Sequence, residues 1–374
     1  MVALEIPDAP IPMRADGKIH LLYEIHISNL GRVPLYLEKI QVTCGGEPNR
    51  IYTTYRGKDF DDMLGGFGSQ PEGSDIRKIL PGMRVVAFIW VSVTNKDTIP
   101  DQLHHRLYFK DGKSRENLLS LKGPTITVNK RKVPEILSPV IGNGWLAAEG
   151  PVNIKDYSHH RFGIITMGGT PRVPQRYAID WMKFGPEGKL FKGDPKKNES
   201  WYCYGKEIHS VADGTVKEVK DGIPENVPLE KKRAVPMTLD TICGNYVLIE
   251  NSSDWYSLYA HMIPGTVRVK VGNRVTAGQI LGLLGNSGNS DAPHLHFQLN
   301  TKQVGHVLAS EGLPYTISSF IYQGRIPVPF PPELLKSIKN IGDLIWTSKA
   351  GIEAIERSDE IPLGYRIYGF GIAY

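Results

Sequence analysis

The sequence has few cysteines, and they are not arranged as metal ligands or as a disulfide scaffold. Its 374 residues contain three cysteines, at positions 44, 203 and 243, and no C-x-x-C pair occurs. An odd and low count fits no disulfide framework, although a single bridge remains open. The sequence therefore gives no indication of a zinc site built from cysteines.

Long apolar runs are also absent. No stretch has the roughly 20 apolar residues that a transmembrane helix needs, so we expect a protein that does not span a membrane. Residues 1–8 lack the basic start and the apolar core of a signal peptide. Whether a signal peptide has been removed stays open at this point.

A strong charge of either sign is missing too. The formal net charge is +5 and the sequence pI is about 8.8, with residues 130–132 and 231–233 as the runs of three basic residues. No basic stripe interleaved with aromatic residues is present, so we expect no nucleic-acid partner. A mildly basic surface would still favour approach to an anionic polymer.

Two common hydrolase motifs do not occur. The absence of H-E-x-x-H excludes the design in which one helix carries two zinc-binding histidines. The absence of G-x-S-x-G leaves a Ser-His-Asp hydrolase without its nucleophile turn.

The chain does contain many short apolar segments between turns, as its 39 glycines and 27 prolines indicate. Residues 20–29 alternate, which predicts a half-buried strand with His20 and His26 on the solvent side. We predict a mainly β protein. The predicted division is an immunoglobulin-like β-sandwich accessory domain over 1–135, a Pro/Gly-rich linker over 136–153, a second domain over 154–330, and a C-terminal extension over 331–374 that packs on the second domain.

The chemistry is concentrated in the segment His294-Leu295-His296, which lies in an apolar stretch that we predict to be a strand. Side chains alternate along a strand, so both imidazoles point to one face. Two histidines on one rigid face suit a metal site, where one binds the ion and the other handles a proton of a metal-bound water.

A candidate partner for these histidines lies upstream. Residues 160–167 and 175–184 are predicted to form a hairpin around a turn at 168–171. In that register His160 lies directly across from Asp180, at a cross-strand distance suited to two ligands of one ion. A slip of one residue would present His159 instead, and both registers remain open.

Four segments in fixed order then resemble one known family. They are Tyr259-Ala260-His261, Val271-Gly272-Asn273-x-Val275-x-x-Gly278-Gln279, Gly285-Asn286-Ser287-Gly288-Asn289-Ser290 and Pro293-His294-Leu295-His296-Phe297. Together they are similar to the lysostaphin-type zinc metallopeptidases, which are bacterial peptidoglycan endopeptidases. The spacing matches over about residues 205–300.

The resemblance implies an antiparallel β-sheet peptidase domain with one zinc ion per chain. It implies His160, Asp180 and His296 as zinc ligands, and His261 and His294 as the catalytic pair. The implied reaction is hydrolysis of peptide bonds in peptidoglycan by a metal-activated water. The substrate in turn implies an extracytoplasmic location, in the periplasm or cell envelope. The oligomeric state and the cross-link that is cleaved are not indicated.

One position departs from the family pattern. The usual first motif places a histidine four residues before the aspartate, and here that residue is Arg176. The first ligand must then come from His159 or His160. If neither reaches the ion, the alternative is a non-catalytic cell-wall binding or regulatory protein on the same fold. The glycine-rich turns also resemble biotinyl or lipoyl carrier barrels in shape, but the lysine hairpin of such carriers does not follow.

Overall fold

The structure is a computed structural model, and it divides the chain into two compact units. One is built mainly of residues Met1–Lys132 and the other mainly of residues 133–374. The residues that the structure describes are 1–44, 51–66, 75–94, 98–111, 118–153, 158–161, 163–167, 169–186, 188–301, 306, 308–326 and 354–371.

The described residues of the N-terminal unit form ten strands and a single turn of helix. These elements are β1 (Val2–Glu5), β2 (Met13–Ala15), β3 (Lys18–Asn29), β4 (Leu35–Cys44), β5 (Ile51–Arg56), α1 (Lys58–Asp61), β6 (Leu64–Gly66), β7 (Lys78–Ile79), β8 (Arg84–Thr94), β9 (Gln102–Asp111) and β10 (Leu118–Thr127). They make two five-stranded sheets, one in the order β1-β3-β8-β6 with β2 on β3, the other in the order β10-β9-β4-β5 with β7 on β4.

Polar contacts link the two sheets through their buried faces. The hydroxyl of Tyr23 on β3 lies 2.7 Å from Nε2 of His105 on β9. The hydroxyl of Tyr55 on β5 donates to the carbonyl of Trp90 on β8 at 2.7 Å. Two antiparallel sheets joined face to face fit the predicted sandwich, and its immunoglobulin-like type stays a prediction.

Strand β3 is buried on both faces, which corrects one expectation. Its residues Leu21, Tyr23 and Ile25 are buried as predicted, but His20 and His26 are also only 6% and 2% exposed. Alternation of apolar and polar residues predicted a wet face, but these histidines are covered. The ring of His20 accepts a hydrogen bond from Trp90 Nε1 at 3.0 Å.

Beyond Lys132, the described residues form the remaining strands and two 3₁₀ turns. They are β11 (Glu135–Ile136), β12 (Gly142–Ala148), the 3₁₀ turn His159–Arg161, β13 (Ile165–Met167), β14 (Thr170–Arg172), β15 (Ile179–Lys183), the 3₁₀ turn Asn198–Ser200, β16 (Glu207–His209), β17 (Gly214–Lys220), β18 (Asn245–Ser252), β19 (Trp255–Met262), β20 (Arg274–Val275), β21 (Ile280–Leu283), β22 (Leu295–Thr301), β23 (Thr316–Ile317), β24 (Phe320–Arg325), β25 (Ile355–Arg357) and β26 (Arg366–Phe370).

Ten of these strands form one antiparallel sheet in the order β20-β17-β18-β19-β22-β15-β12-β26-β24-β25. Its central strand β22 has two different faces. Leu295, Phe297 and Leu299 are fully buried in the apolar layer, whereas His296 alternates with them and lies on the other face. The mainly β, antiparallel architecture that the sequence predicted is confirmed.

Part of the predicted linker belongs to this sheet. Strand β12 pairs with β15 on one side and with β26 on the other, and Trp145 within it is 1% exposed. The prolines and glycines of this stretch predict irregular backbone, but Gly142 and Gly144 lie within the paired strand β12 and the prolines lie outside it. The described residues 354–371 of the predicted C-terminal extension add β25 and β26 to the sheet.

The predicted hairpin of 160–167 with 175–184 is wrong. Strand β13 instead pairs with the short strand β14 directly after the turn, and β15 pairs with β12 and β22. His159 and His160 lie in a 3₁₀ turn before β13. Proximity in sequence predicts the segment before the turn as the strand partner of Asp180, whereas its actual partner strands are β12 and β22.

None of the three cysteines forms a disulfide, and all three are buried. Burial raises the pKa of the Cys203 thiol to about 12, and it does the same for the Cys243 thiol. In the part of the chain that the structure describes, no helix has the length and apolar character needed to cross a bilayer.

Candidate metal centre

Three side chains of the C-terminal unit meet closely enough to hold one ion. One ligand atom each of His159, Asp180 and His296 lies within 4.8 Å of the other two, and all three residues are buried. Asp180 Oδ1 is 2.8 Å from His296 Nδ1, and Asp180 Oδ2 is 3.5 Å from His159 Nε2. Two imidazoles and one carboxylate are the ligand types that catalytic zinc takes, with a fourth position left open.

The sheet itself sets the spacing of two of these ligands. Asp180 on β15 and His296 on β22 are directly opposed across an antiparallel pair, so their side chains rise from the same face. His159 arrives from the 3₁₀ turn. It is fastened there because its backbone N–H and its Nδ1 both donate to the carbonyl of Glu149, at 3.2 and 2.8 Å.

Two more histidines face the same space. His294 Nε2 is 3.4 Å from Asp180 Oδ2, and the ring of His261 lies 4.8 Å from that of His294 and 5.9 Å from that of His296. His261 is the next-to-last residue of β19 and has a φ of 69°, a left-handed conformation that is uncommon outside glycine. The left-handed backbone conformation of His261 therefore lies within the group of site residues.

Main-chain carbonyls fix the proton positions of three of the four imidazoles. A carbonyl oxygen can only accept, so the ring nitrogen beside it carries the hydrogen. The Nδ1 atoms of His159, His261 and His294 donate to the carbonyls of Glu149, Ser287 and Ala292 at 2.8 Å in each case. Each of these rings therefore presents the lone pair of Nε2.

His296 has the opposite orientation. Its Nε2 lies 2.8 Å from the side-chain oxygen of Gln298, which leaves Nδ1 to face Asp180. An imidazole lone pair and a carboxylate oxygen only 2.8 Å apart repel each other unless a proton or a metal ion lies between them. The donor set therefore fits a cation, and the two imidazole nitrogens with one carboxylate fit zinc in particular.

The electrostatics of the group centre on Asp180. Burial alone would raise the pKa of Asp180, but the surrounding imidazoles, His294 most of all, hold the pKa of this carboxylate well below its usual range. Burial lowers the pKa of His159 to about 4, against the attraction of Asp180. For His296, burial is outweighed by the hydrogen bond to Asp180 and by its charge, so the pKa of this ring is raised.

His160 does not join the group, contrary to the expectation from the hairpin. Its Nδ1 is 2.6 Å from the hydroxyl of Ser158, and its Nε2 accepts from Arg161 Nε at 3.3 Å. Successive residues of a 3₁₀ turn point about 120° apart. Only one of two adjacent histidines can therefore face Asp180, and here it is His159.

Arg176, which stands where the family usually has its first histidine, has a different role. Its side chain is 5% exposed and donates from Nε to Glu311 Oε1 at 2.6 Å. The other carboxylate oxygen of Glu311 accepts the backbone N–H of Val173 at 2.9 Å. The usual ligand position is thus occupied by a buried ion pair.

Glu149 also belongs to this region, although no sequence pattern predicts it as a site residue. Its carboxylate Oε2 is 3.6 Å from His159 Nε2. Desolvation and the neighbouring charge of Asp180 raise the pKa of Glu149 to about 8. It follows β12 in a stretch of glycine and proline, where no periodic pattern marks a site residue.

Known proteins share the motif-bearing part of this unit. Residues 201–307 match the model of Peptidase family M23. The match contains β16 to β22 with His261, His294 and His296, whereas His159 and Asp180 lie before it. The resemblance to lysostaphin-type peptidases that the motifs predicted is confirmed.

Curated relatives agree with the M23 match. The glycyl-glycine endopeptidase ALE-1 of Staphylococcus capitis is 42% identical over 77 residues, which is 20% of this chain and 21% of the relative. Lysostaphin of Staphylococcus simulans is 40% identical over 77 residues, 20% of this chain and 15% of the relative. The peptidoglycan DD-endopeptidase ShyA of Vibrio cholerae is 41% identical over 56 residues, 15% and 13%.

The chain thus spans about a fifth or less of the length of these relatives. Among solved structures, a zinc-containing peptidase from Vibrio cholerae aligns over 83% of both chains with a TM-score of 0.28 and 14% identity. The catalytic domain of lysostaphin from Staphylococcus simulans aligns over 46% of this chain and 88% of its own, with a TM-score of 0.24 and 20% identity.

Proposed function

We propose that this protein is a zinc-dependent endopeptidase that hydrolyses peptide bonds in bacterial peptidoglycan. The observation that carries the proposal is the convergence of His159 Nε2, Asp180 and His296 Nδ1 within 4.8 Å, on the M23-like sheet. The glycyl-glycine endopeptidase and the peptidoglycan DD-endopeptidase among the relatives support the reaction class, and their names indicate different cleaved bonds.

In the proposed mechanism, His159, Asp180 and His296 would hold the zinc ion. Zinc, when bound, polarises the scissile carbonyl and makes a water molecule more acidic. The Nε2 atoms of His294 and His261 face the same space with their lone pairs, because their Nδ1 atoms are committed to carbonyls. One of them would take a proton from the water as the water oxygen bonds to the carbonyl carbon. The single imidazolium so formed would stabilise the charge on the tetrahedral oxygen and then pass its proton to the amine nitrogen as the C–N bond breaks.

The substrate class and location follow from the proposed reaction. Peptidoglycan lies outside the cytoplasm, so we propose an extracytoplasmic site of action. For the N-terminal unit we propose a binding or spacer role, since the described residues there hold no cluster of ligand-type side chains that could bind a metal.

The non-catalytic alternative depended on a missing first ligand. His159 supplies a ligand-type nitrogen at 3.5 Å from Asp180, so the enzyme is the better-supported function.

The test is metal content together with digestion of peptidoglycan. Purified wild type should hold about one zinc per chain and release new amino termini from isolated cell walls, to be identified by mass spectrometry. His159→Ala should lose the zinc, whereas His160→Ala, the matched change one residue away, should keep it. A wild type that stays metal-free after zinc loading would contradict the proposal.

A further inference from the structure

One polar row on β22 leads away from the metal-facing side of His296. Residues 296, 298 and 300 alternate with the apolar Phe297 and Leu299, so they share a face of the strand. His296, Gln298 and Asn300 are all at most 4% exposed. We refer to these three residues as the polar row.

The direction of the hydrogen bonds along the polar row is set at its far end. Asn300 Nδ2 donates to the carbonyl of Pro174 at 2.9 Å and faces the carbonyl of Glu311 at 3.4 Å. Both carbonyls can only accept, so the amide nitrogen of Asn300 must point to them. Its oxygen is thereby directed to Gln298, whose Nε2 donates to it at 2.5 Å.

The same direction then passes to the imidazole. Because Gln298 donates to Asn300 with its nitrogen, it offers its oxygen to His296 Nε2 at 2.8 Å. An oxygen acceptor requires that His296 Nε2 carry the hydrogen. Nδ1, which lies 2.8 Å from Asp180 Oδ1, is then the nitrogen that either shares a proton with Asp180 or binds a metal ion with its lone pair. Two main-chain carbonyls thus determine the tautomer of a candidate metal ligand through two side-chain amides.

We propose that Gln298 and Asn300 are positioning residues that hold His296 in the orientation and tautomer that binds zinc. The inference rests on the proposed function, because it assigns His296 as a zinc ligand. It goes beyond that function by naming two buried amides as determinants of metal affinity. Partners of ligating histidines typically affect metal affinity by about 10- to 100-fold.

His296 depends on side chains in a way that the other site histidines do not. His159, His261 and His294 are oriented by backbone carbonyls, which no substitution of those acceptor residues removes directly. The acceptor for His296 is a glutamine side chain and can be replaced. Substitution at position 298 should therefore weaken zinc binding without changing any residue that faces the ion.

The first experiment measures zinc affinity by competition with a chromophoric chelator. Gln298→Met keeps a similar volume but removes the acceptor, and we expect the Kd for zinc to rise about 10- to 100-fold. Asn300→Leu leaves Gln298 in place but frees its amide to rotate, so we expect an increase near the lower end of that range. Unchanged affinity in both variants, with wild-type zinc binding established, would overturn the proposal.

A matched control separates this effect from a general loss of stability. Asn29 in the N-terminal unit is an equally buried amide, 1% exposed, that donates to the carbonyls of Val33 and Ile79. Asn29→Leu should lower the melting temperature but leave the zinc Kd at the wild-type value. Gln298→Glu retains an oxygen acceptor for His296 Nε2, so its zinc Kd should stay close to the wild-type value. It loses the amide N–H that donates to Asn300, so its melting temperature should fall. If Gln298→Glu weakened zinc binding as much as Gln298→Met does, Gln298 would have a packing role and not a positioning role.

The second experiment observes the tautomer directly. Long-range ¹H–¹⁵N spectra of protein labelled with ¹⁵N-histidine should show a hydrogen on Nε2 of His296, and Gln298→Met should lose this single state. A wild type that binds zinc with Nε2 of His296 unprotonated would contradict the polar row. A wild type that binds no zinc, yet shows the expected tautomer, would contradict the proposed function and leave the hydrogen-bond direction intact.

Discussion

Both units bury histidines, but they use them differently. In the N-terminal unit, His105 donates from Nδ1 to the carbonyl of Pro124 at 2.6 Å and accepts from the Tyr23 hydroxyl at 2.7 Å. Both of its nitrogens are thus saturated by neutral groups. In the C-terminal unit, His159 and His294 each use one nitrogen on a carbonyl and direct the other towards Asp180.

The difference separates a structural histidine from a candidate ligand. Burial lowers the pKa of His105 to about 4 and that of His159 to about 4 as well, so the pKa alone does not distinguish them. The distinguishing feature is convergence. Several lone pairs around one carboxylate form a cation site, whereas a saturated imidazole is part of the core.

The largest expected effect comes from removing the candidate ligand His296, in comparison with removing the structural His105. His296→Ala should reduce zinc from about one ion per chain to nearly none and should bring peptidoglycan hydrolysis to background. His105→Ala should leave zinc content unchanged, although the stranded Tyr23 hydroxyl should cost about 1–3 kcal/mol of stability. Metal analysis and thermal melts of the two variants provide the measurement. Zinc retained by His296→Ala would remove this residue from the ligand set.

The next prediction divides the histidines within the site. His294→Gln should lower the hydrolysis rate by about 10²- to 10⁴-fold, since it removes a proton acceptor, while zinc content stays at the wild-type level. His261→Asn should behave in the same way, because asparagine tolerates the positive φ of 69° at this position. Steady-state rates and metal content are measured on the same samples. Loss of zinc in either variant would make that histidine a ligand.

The third prediction concerns the buried ion pair of Arg176 with Glu311. Arg176→Met removes the guanidinium that lies 2.6 Å from the Glu311 carboxylate, whose side chain is 12% exposed. Breaking a buried ion pair on one side costs about 3–5 kcal/mol, and we expect a loss of that size in chemical denaturation. The double change Arg176→Met with Glu311→Leu should recover part of it. Zinc content should remain unchanged, and a parallel loss of zinc would place this pair in the metal centre.

The smallest effect is a pH dependence in the N-terminal unit. The folded pKa of His105 is about 4 against 6.5 for the free side chain, so the folded state binds fewer protons between these values. The contribution of neutral His105 to the free energy of unfolding is therefore fully present above pH 6.5. It is lost as the pH falls towards 4, by roughly 3 kcal/mol in total. His105→Gln should flatten this dependence in denaturation curves at pH 7 and pH 4.5. An unchanged slope would show that other groups cause the acid loss.

The sequence predicted the parts of the site that depend on strand periodicity. His294 and His296 lie near Asp180, as expected from alternation along one strand, and Leu295 and Phe297 occupy the opposite layer. The β class followed from the same periodicity and from the turn residues. These are local properties, and local patterns suffice to predict them.

Features that depend on distant pairing were not predictable in this way. The choice between His159 and His160 depends on a 3₁₀ turn and on the carbonyl of Glu149, neither of which leaves a periodic signal. Proximity in sequence predicts that residues 160–167 pair with β15, but β15 pairs with β12 and β22. The burial of His20 on β3, which is covered on both faces, shows the same limit. Alternation predicts on which face of the strand His20 lies, but it does not say whether another part of the protein covers that face.

The three buried thiols have a practical consequence. Cys44 lies in the N-terminal unit, and Cys203 and Cys243 lie in the C-terminal unit. A thiol reacts as the thiolate, so at neutral pH the folded chain should be slow to react with iodoacetamide, and each site should be labelled only when its surroundings open. Mass spectrometry of the labelled peptides would then report the opening of each unit separately, with zinc present or withheld, and with no probe added to the sequence.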